Sequence, residues 1–163
     1  MIILGIDPGY AIVGYGVIEF KSNRFSVVDY GAITTNAGTP FERRLELIYD
    51  DLNLLMGKFH PEAMSIEKLF YNTNAKTVID VAQARGVTVL AAKKNNIPRF
   101  EYTPLQVKQG ICGYGRADKK QVQSMVKSLL NLKEIPKPDD AADALAIALG
   151  HLSTRRFSEM FRV

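Results

Sequence analysis

One cysteine, two histidines and no tryptophan in 163 residues narrow what this chain can do. The lone Cys112 forms no internal disulfide, which fits a reducing compartment, and no histidine stands near it in sequence to make it a nucleophile. His60 precedes Pro61 in a loop and His151 falls late in a helical pattern, so neither is an evident metal ligand. No apolar run approaches the ~18 residues of a membrane span, and no charged-then-apolar leader with a cleavage site opens the chain. A soluble, cytoplasmic protein without a membrane partner is expected. The phosphate loop Gly-x-x-x-x-Gly-Lys-[Ser/Thr] is missing as well; Gly113-Tyr114-Gly115-Arg116-Ala117-Asp118-Lys119 lacks its spacing.

What is present fits one domain over residues 1–163, with 47% apolar residues to fill a core. The net charge of +4 hides an asymmetry: residues 1–92 sum to −2 and residues 93–163 to +6. A basic half in a protein of pI near 9.2 points to a polyanionic partner, of which nucleic acid is the commonest.

Periodicity divides the chain into an α/β order. Met1–Ile6 is a continuous apolar run, the pattern of a central strand covered on both faces. Val13–Phe20 and Phe25–Ile33 read as an antiparallel pair around the turn Lys21–Arg24. Thr39-Pro40-Phe41-Glu42 has the form of an N-cap, a proline at the first helical position and a capping acid, opening a helix with Phe41, Leu45, Ile48, Leu52, Leu55 and Phe59 on one stripe. A strand Ala63–Ile66, a helix from about Asn74 to Asn95 and a strand Ile97–Tyr102 follow. Thr103–Gln106 and Asp118–Gln121 have the form of two further capping boxes, and a last helix runs from about Asp140 to Ser153, with a loosely ordered tail after about residue 155. The sum is a mixed five-stranded sheet flanked by helices.

The helix from Asn74 is apolar on two sides. Ala75, Val78, Ile79, Ala82, Gly86, Val89 and Leu90 share one face; Val81, Ala84, Thr88, Ala91 and Ala92 share nearly the opposite one. The first can cover the sheet. The small-residue face then offers either ordinary burial or the close approach of a second subunit, with Val81 and Ala84 in the contact.

The acids carry the chemistry. Asp7 interrupts the first apolar strand, where an ionised carboxylate is costly unless something positive meets it. Met64-Ser65-Ile66-Glu67 repeats the arrangement, and Asp140 and Asp143 are three apart on one helix face, with Asp139 expected to cap that helix. Acids scattered in sequence but each placed at the edge of a core element suggest one metal site. Carboxylates without histidine or cysteine select hard cations, chiefly Mg²⁺ with Mn²⁺ as a substitute. Two such ions serve in-line displacement at phosphorus. A strand, an acid and a glycine turn also open the sugar kinases and actin-like ATPases, but those need two such domains and far more chain.

Four segments in order carry a resemblance to a family: GIDPGYAIVGYGVI, IEKLFYNTNAKTVIDVAQARGV, YTPLQVKQ (Tyr102–Gln109) and DAADALAIALGH. Over nearly its whole length the chain resembles the RuvC family of Holliday-junction resolvases, within the ribonuclease-H-like superfamily. The resemblance implies a ribonuclease-H-like fold and a catalytic tetrad of Asp7, Glu67, Asp140 and Asp143. In that tetrad Asp7 bridges two metals, Glu67 holds one, and Asp140 and Asp143 hold the other. It further implies a homodimer that nicks a four-way DNA junction symmetrically during recombination and repair, with RuvA and RuvB as partners. Phe70 then stacks on bases near the crossover, and Lys108 and Lys119 face DNA near the scissile phosphate. Two other readings are a ribonuclease-H-like protein of ribosomal RNA maturation and a non-catalytic junction-binding module. The first lacks the basic helical segment bearing Lys108 and Lys119, and the second has little reason to retain four costly carboxylates.

Overall fold

The computed structural model describes residues 1–69 and 76–160, with side chains through residue 155. Five strands form one sheet in the order β3-β2-β1-β4-β5: β1 Ile2–Asp7, β2 Ile12–Lys21, β3 Arg24–Thr34, β4 Ala63–Glu67 and β5 Arg99–Tyr102. The first three run antiparallel, and β4 and β5 lie parallel to β1 and β4 respectively. Ser22 and Asn23 turn the β2–β3 hairpin with φ of 51° and 62°, the paired positive values that a two-residue turn matched to strand twist requires.

Alternation along β1 sorts the two layers. Leu4 and Ile6 join Met64 and Ile66 of β4 against α1 (Phe41–Phe59) and α2 (Val78–Lys94). Ile3, Gly5 and Asp7 face the other way, toward α5 (Asp139–Met160), which is sheathed in turn by α3 (Pro104–Cys112) and α4 (Lys119–Leu129). No helix among the described residues is long and apolar enough to cross a membrane.

Three local expectations are corrected. In α1 the cap position belongs to Pro40, in extended conformation and without a side-chain cap bond, so Thr39 caps nothing; the helix buries Arg44, Ile48, Leu52 and Met56. Proline has no N–H and fixes φ near the cap geometry, so the chain enters the helix one residue later than the cap signal placed it. The last helix continues past Ser153 to Met160, because no glycine or proline stops it there.

The third correction concerns α2, which begins at Val78; Asn74 and Ala75 lie outside the described residues. Its small-residue face is the inner one. Ala84, Thr88, Ala91 and Ala92 are buried within the monomer, and Thr88 Oγ1 donates to the Ala84 carbonyl at 3.1 Å. Small side chains let α2 lie close to α1, which is what an interior face needs. Ile79 (64% exposed) and Leu90 (52%) stand outside with Ala82 and Gly86 between them, so Ala84 is unavailable to a second subunit.

Gly5, Gly14 and Gly16 form a trench across β1 and β2 in which α5 lies. A Cβ on Gly5 would come within 2.9 Å of Ala148 Cβ, one on Gly14 would strike the Asp140 carbonyl, and one on Gly16 would come within 2.7 Å of Leu145 Cδ2. Gly57, on the exposed side of α1, has open space where its side chain would be. Gly5→Ala should therefore lower unfolding free energy by about 1–3 kcal/mol through overpacking. Gly57→Ala should raise it by about 0.5–1 kcal/mol through helix propensity. Urea denaturation of the two variants measures both, and equal effects would mean the trench is not tight.

Candidate active site

The register of the sheet delivers two acids to one place. Asp7 is the last residue of β1, paired across to Gly14, and directly opposed residues of an antiparallel pair share a face. Glu67 ends β4, the neighbouring strand, on the same side as Ser65, whose buried hydroxyl donates to the Ile147 carbonyl of α5 at 2.9 Å. That bond fixes α5 lengthwise on the sheet one turn beyond Asp143. Gly14, lacking a side chain, admits the Asp140 backbone beside Asp7.

The outer helices bring the cations. Thr103 and Asp118 each close the capping box expected of them, their side chains accepting from the N–H groups of Gln106 and Gln121 at 3.1 and 2.8 Å. The second box makes Lys119 the first residue of α4. Gly110 of α3 crosses Gly150 of α5, and Lys108 of α3 lines the cleft beside Glu67. The result is a cleft of about 240 Å³ lined by Glu67, Lys108, Lys119 and Asp143 over an apolar floor that includes Val107, Val122 and Ile147.

Electrostatics binds the four acids into one unit. Burial pushes the Asp7 carboxyl up to about 8, Asp143, Glu67 and Asp140 adding repulsion and Lys119 opposing it. Glu67 is raised by burial and then by Asp143, with Lys108 pulling back. Asp143 is raised by burial too, against the attraction of Lys119. The Lys119 ammonium lies 3.1 Å from Asp139 Oδ2 and 3.9 Å from Asp143 Oδ2.

These residues fit a hard divalent cation. Their donors are all carboxylate oxygens, and burial with the neighbouring acids holds the Asp7 carboxyl well above the usual carboxylate range, a penalty a divalent cation would relieve. Among the described residues no three acid, histidine or cysteine side chains close into a ready-made cage; Glu67 and Asp143 line an open cleft.

Asp7, Glu67, Asp140, Asp143, Lys108 and Lys119 are thus brought together, while Phe70 lies outside the described residues. His151 is buried instead, its Nδ1 2.6 Å from the Tyr102 hydroxyl and its ring 4.5 Å from that of Phe100. Burial, with Arg155 adding, lowers it to about 4, which keeps it neutral. Asp139 differs from expectation. It is the first residue of α5, the Pro138 carbonyl accepts the first helical bonds, and the Asp139 carboxylate turns to Lys119. A carboxylate one residue before Asp140 looks like a cap in sequence; only the placement of α4 reveals its partner.

The family model described as "Crossover junction endodeoxyribonuclease RuvC" matches residues 3–151. The RuvC of Alkaliphilus oremlandii is 58% identical over 163 residues, covering 100% of this chain and 99% of that protein. The structure of Thermus thermophilus RuvC superposes with a TM-score of 0.90 at 35% identity, covering 97% of each chain. The same protein in complex with a Holliday junction substrate gives 0.88 at 32%, covering 96% of each. The chain belongs to the RuvC family of crossover junction endodeoxyribonucleases, and its fold is ribonuclease-H-like.

Asp7 makes stability depend on pH. Because its folded value of about 8 lies above the usual 3.8, the protonated form is favoured by folding. Its contribution is fully present below about pH 4 and is lost as pH rises through 8. With chelator present, Asp7→Asn should match the wild type near pH 4 and exceed it by a few kcal/mol at pH 9, where the wild type carries the buried charge. Parallel urea curves at the two pH values check this; a constant difference would place the carboxyl in an ordinary solvated setting.

Proposed function

We propose that the cleft between β1, β4 and the start of α5 is where this crossover junction endodeoxyribonuclease hydrolyses phosphodiester bonds. Its substrate is a four-way DNA junction, resolved by paired symmetric nicks in recombination and repair. The observation that carries the reading is the Asp7 carboxyl, buried among three further acids and driven up to about 8. A fold that retains so unfavourable a group gains from it only when a cation is present. The Thermus protein solved with its Holliday junction substrate supports the same substrate class here.

Two Mg²⁺ ions, replaceable by Mn²⁺, are the cofactor we assign; Asp7, Glu67, Asp140 and Asp143 would hold them. When bound, such a pair supplies an activated water and stabilises the departing oxygen. The chain's own residues do the rest. Lys108 and Lys119 draw the scissile phosphate into the cleft and offset its charge. The parallel register of β1 and β4 sets Asp7 and Glu67 at neighbouring strand ends. Phe70, three residues after Glu67, is assigned to stacking on a base unpaired near the crossover, where alanine substitution of such a ring costs about 1–3 kcal/mol.

Paired nicks need two sites related by a two-fold axis. We assign the homodimer contact to the outer stripe of α2, where Ile79, Ala82, Gly86 and Leu90 recur at helical spacing and stand exposed. A single nuclease domain spanning residues 1–163, acting in the cytoplasm with the branch-migration proteins RuvA and RuvB, completes the reading.

Two experiments test it. Asp7→Asn should abolish cleavage of labelled four-way junctions in Mg²⁺ while leaving junction binding intact, and Ca²⁺ should support binding with poor turnover; a wild-type cutting rate from the variant would remove Asp7 from the chemistry. Leu90→Glu should sediment as a monomer that stays folded, whereas Ala84→Glu should unfold because its site is fully buried. A dimer from Leu90→Glu would move the contact off this face.

A further inference from the structure

Asp139 lies outside the set of four acids, yet it is the nearest anionic partner of Lys119. The Lys119 ammonium sits 3.1 Å from its carboxylate and 3.9 Å from that of Asp143. Neither side chain of this pair is held by packing, since Lys119 is 56% and Asp139 57% exposed. Their backbones, by contrast, are fixed. The box formed by Asp118 and Gln121 sets the start of α4, and the Ala141 and Ala142 N–H groups bond the Pro138 carbonyl at 3.0 and 3.3 Å. The Asp139 carboxylate is therefore not required as a cap.

Consider the site without Asp139. A cation tethered at the first residue of α4 would have Asp143 as its remaining close anion, and an ammonium seated on Asp143 occupies oxygens that a divalent cation needs. With Asp139 present, the ammonium has a second seat one turn away along the same helix face and outside the four acids. We propose that Asp139 is a positioning residue that parks Lys119 at the mouth of the cleft, so that a metal can take Asp143 without either competing with Lys119 or losing it from the site. This rests on the metal-site reading above.

The test is a double-mutant cycle read on full-length protein without DNA, using Mn²⁺ and following free Mn²⁺ by its electron paramagnetic resonance signal. Asp139→Asn should weaken Mn²⁺ binding about three- to five-fold, the scale of a partly exposed ion pair. In the Lys119→Ala background the same substitution should change binding less than about two-fold, because only a screened distant charge is lost. Asp139→Glu should restore wild-type binding, and in junction cleavage Asp139→Asn should raise the Mg²⁺ needed for half-maximal rate by the same factor. Equal weakening in both backgrounds would make Asp139 a plain field charge, and no weakening in either would make it a surface acid; each overturns the inference. Failure of the underlying reading has a different signature: Mn²⁺ binding absent in wild type, or unchanged by Asp7→Asn, removes the metal site itself and the inference with it.

Discussion

The distance between α5 and the sheet decides whether the four acids meet. Two of the four acids ride on that helix and two on the strands beneath it, so a helix lifted by the width of a methyl group would separate them. The trench of Gly5, Gly14 and Gly16, met by Asp140, Ala144, Leu145 and Ala148, allows contact at backbone range. Glycine within strands weakens them, and here that weakness is offset because the same absence of side chains admits a helix buried along most of its length. Ser65 adds a directional element to an otherwise apolar contact by bonding the Ile147 carbonyl.

Close approach has an electrostatic consequence. Packing that brings α5 onto β1 also brings its carboxylates toward Asp7, and the apolar surroundings amplify their repulsion. Lys108 and Lys119 reach in from the rim, each moderating the acid it faces, but neither penetrates far enough to neutralise Asp7. The fold thus stores local instability at the ends of β1 and β4 and supports it with a large adjoining core. Such opposition between stability and function is expected where charge must be held ready for a reaction.

Much of this was legible in the residues themselves. Alternation placed Asp7, Gly5 and Ile3 on one face of β1, and both capping boxes, Thr103 with Gln106 and Asp118 with Gln121, form as their spacing requires. The convergence of acids followed from strand ends and a helical i, i+3 pair. What resisted were choices between alternatives that look alike locally. A helix apolar on two sides does not declare which side is inner, and for α2 the decision came from how near α1 lies. Asp139 and Thr39 each carried a cap signature, yet prolines took the cap positions at both helices, at Pro40 and Pro138, and left one side chain free for a tertiary partner. The burial of Arg44 and of His151 depends on neighbours remote in sequence, Thr35 and Tyr102, which no local pattern supplies.

The strand order has one further consequence, in the time domain. With β1 at the middle of the sheet and α5 laid across it, two of the acids come from the strands β1 and β4 and two from α5, the last helix. A chain that stops before residue 140 lacks Asp140 and Asp143, and chain elongation by the ribosome is slow compared with local folding. The meander and α1 have time to form before α5 emerges. The four acids are therefore brought together late, when the helix docks into its trench, and a chain stalled before α5 emerges does not yet hold them in one place.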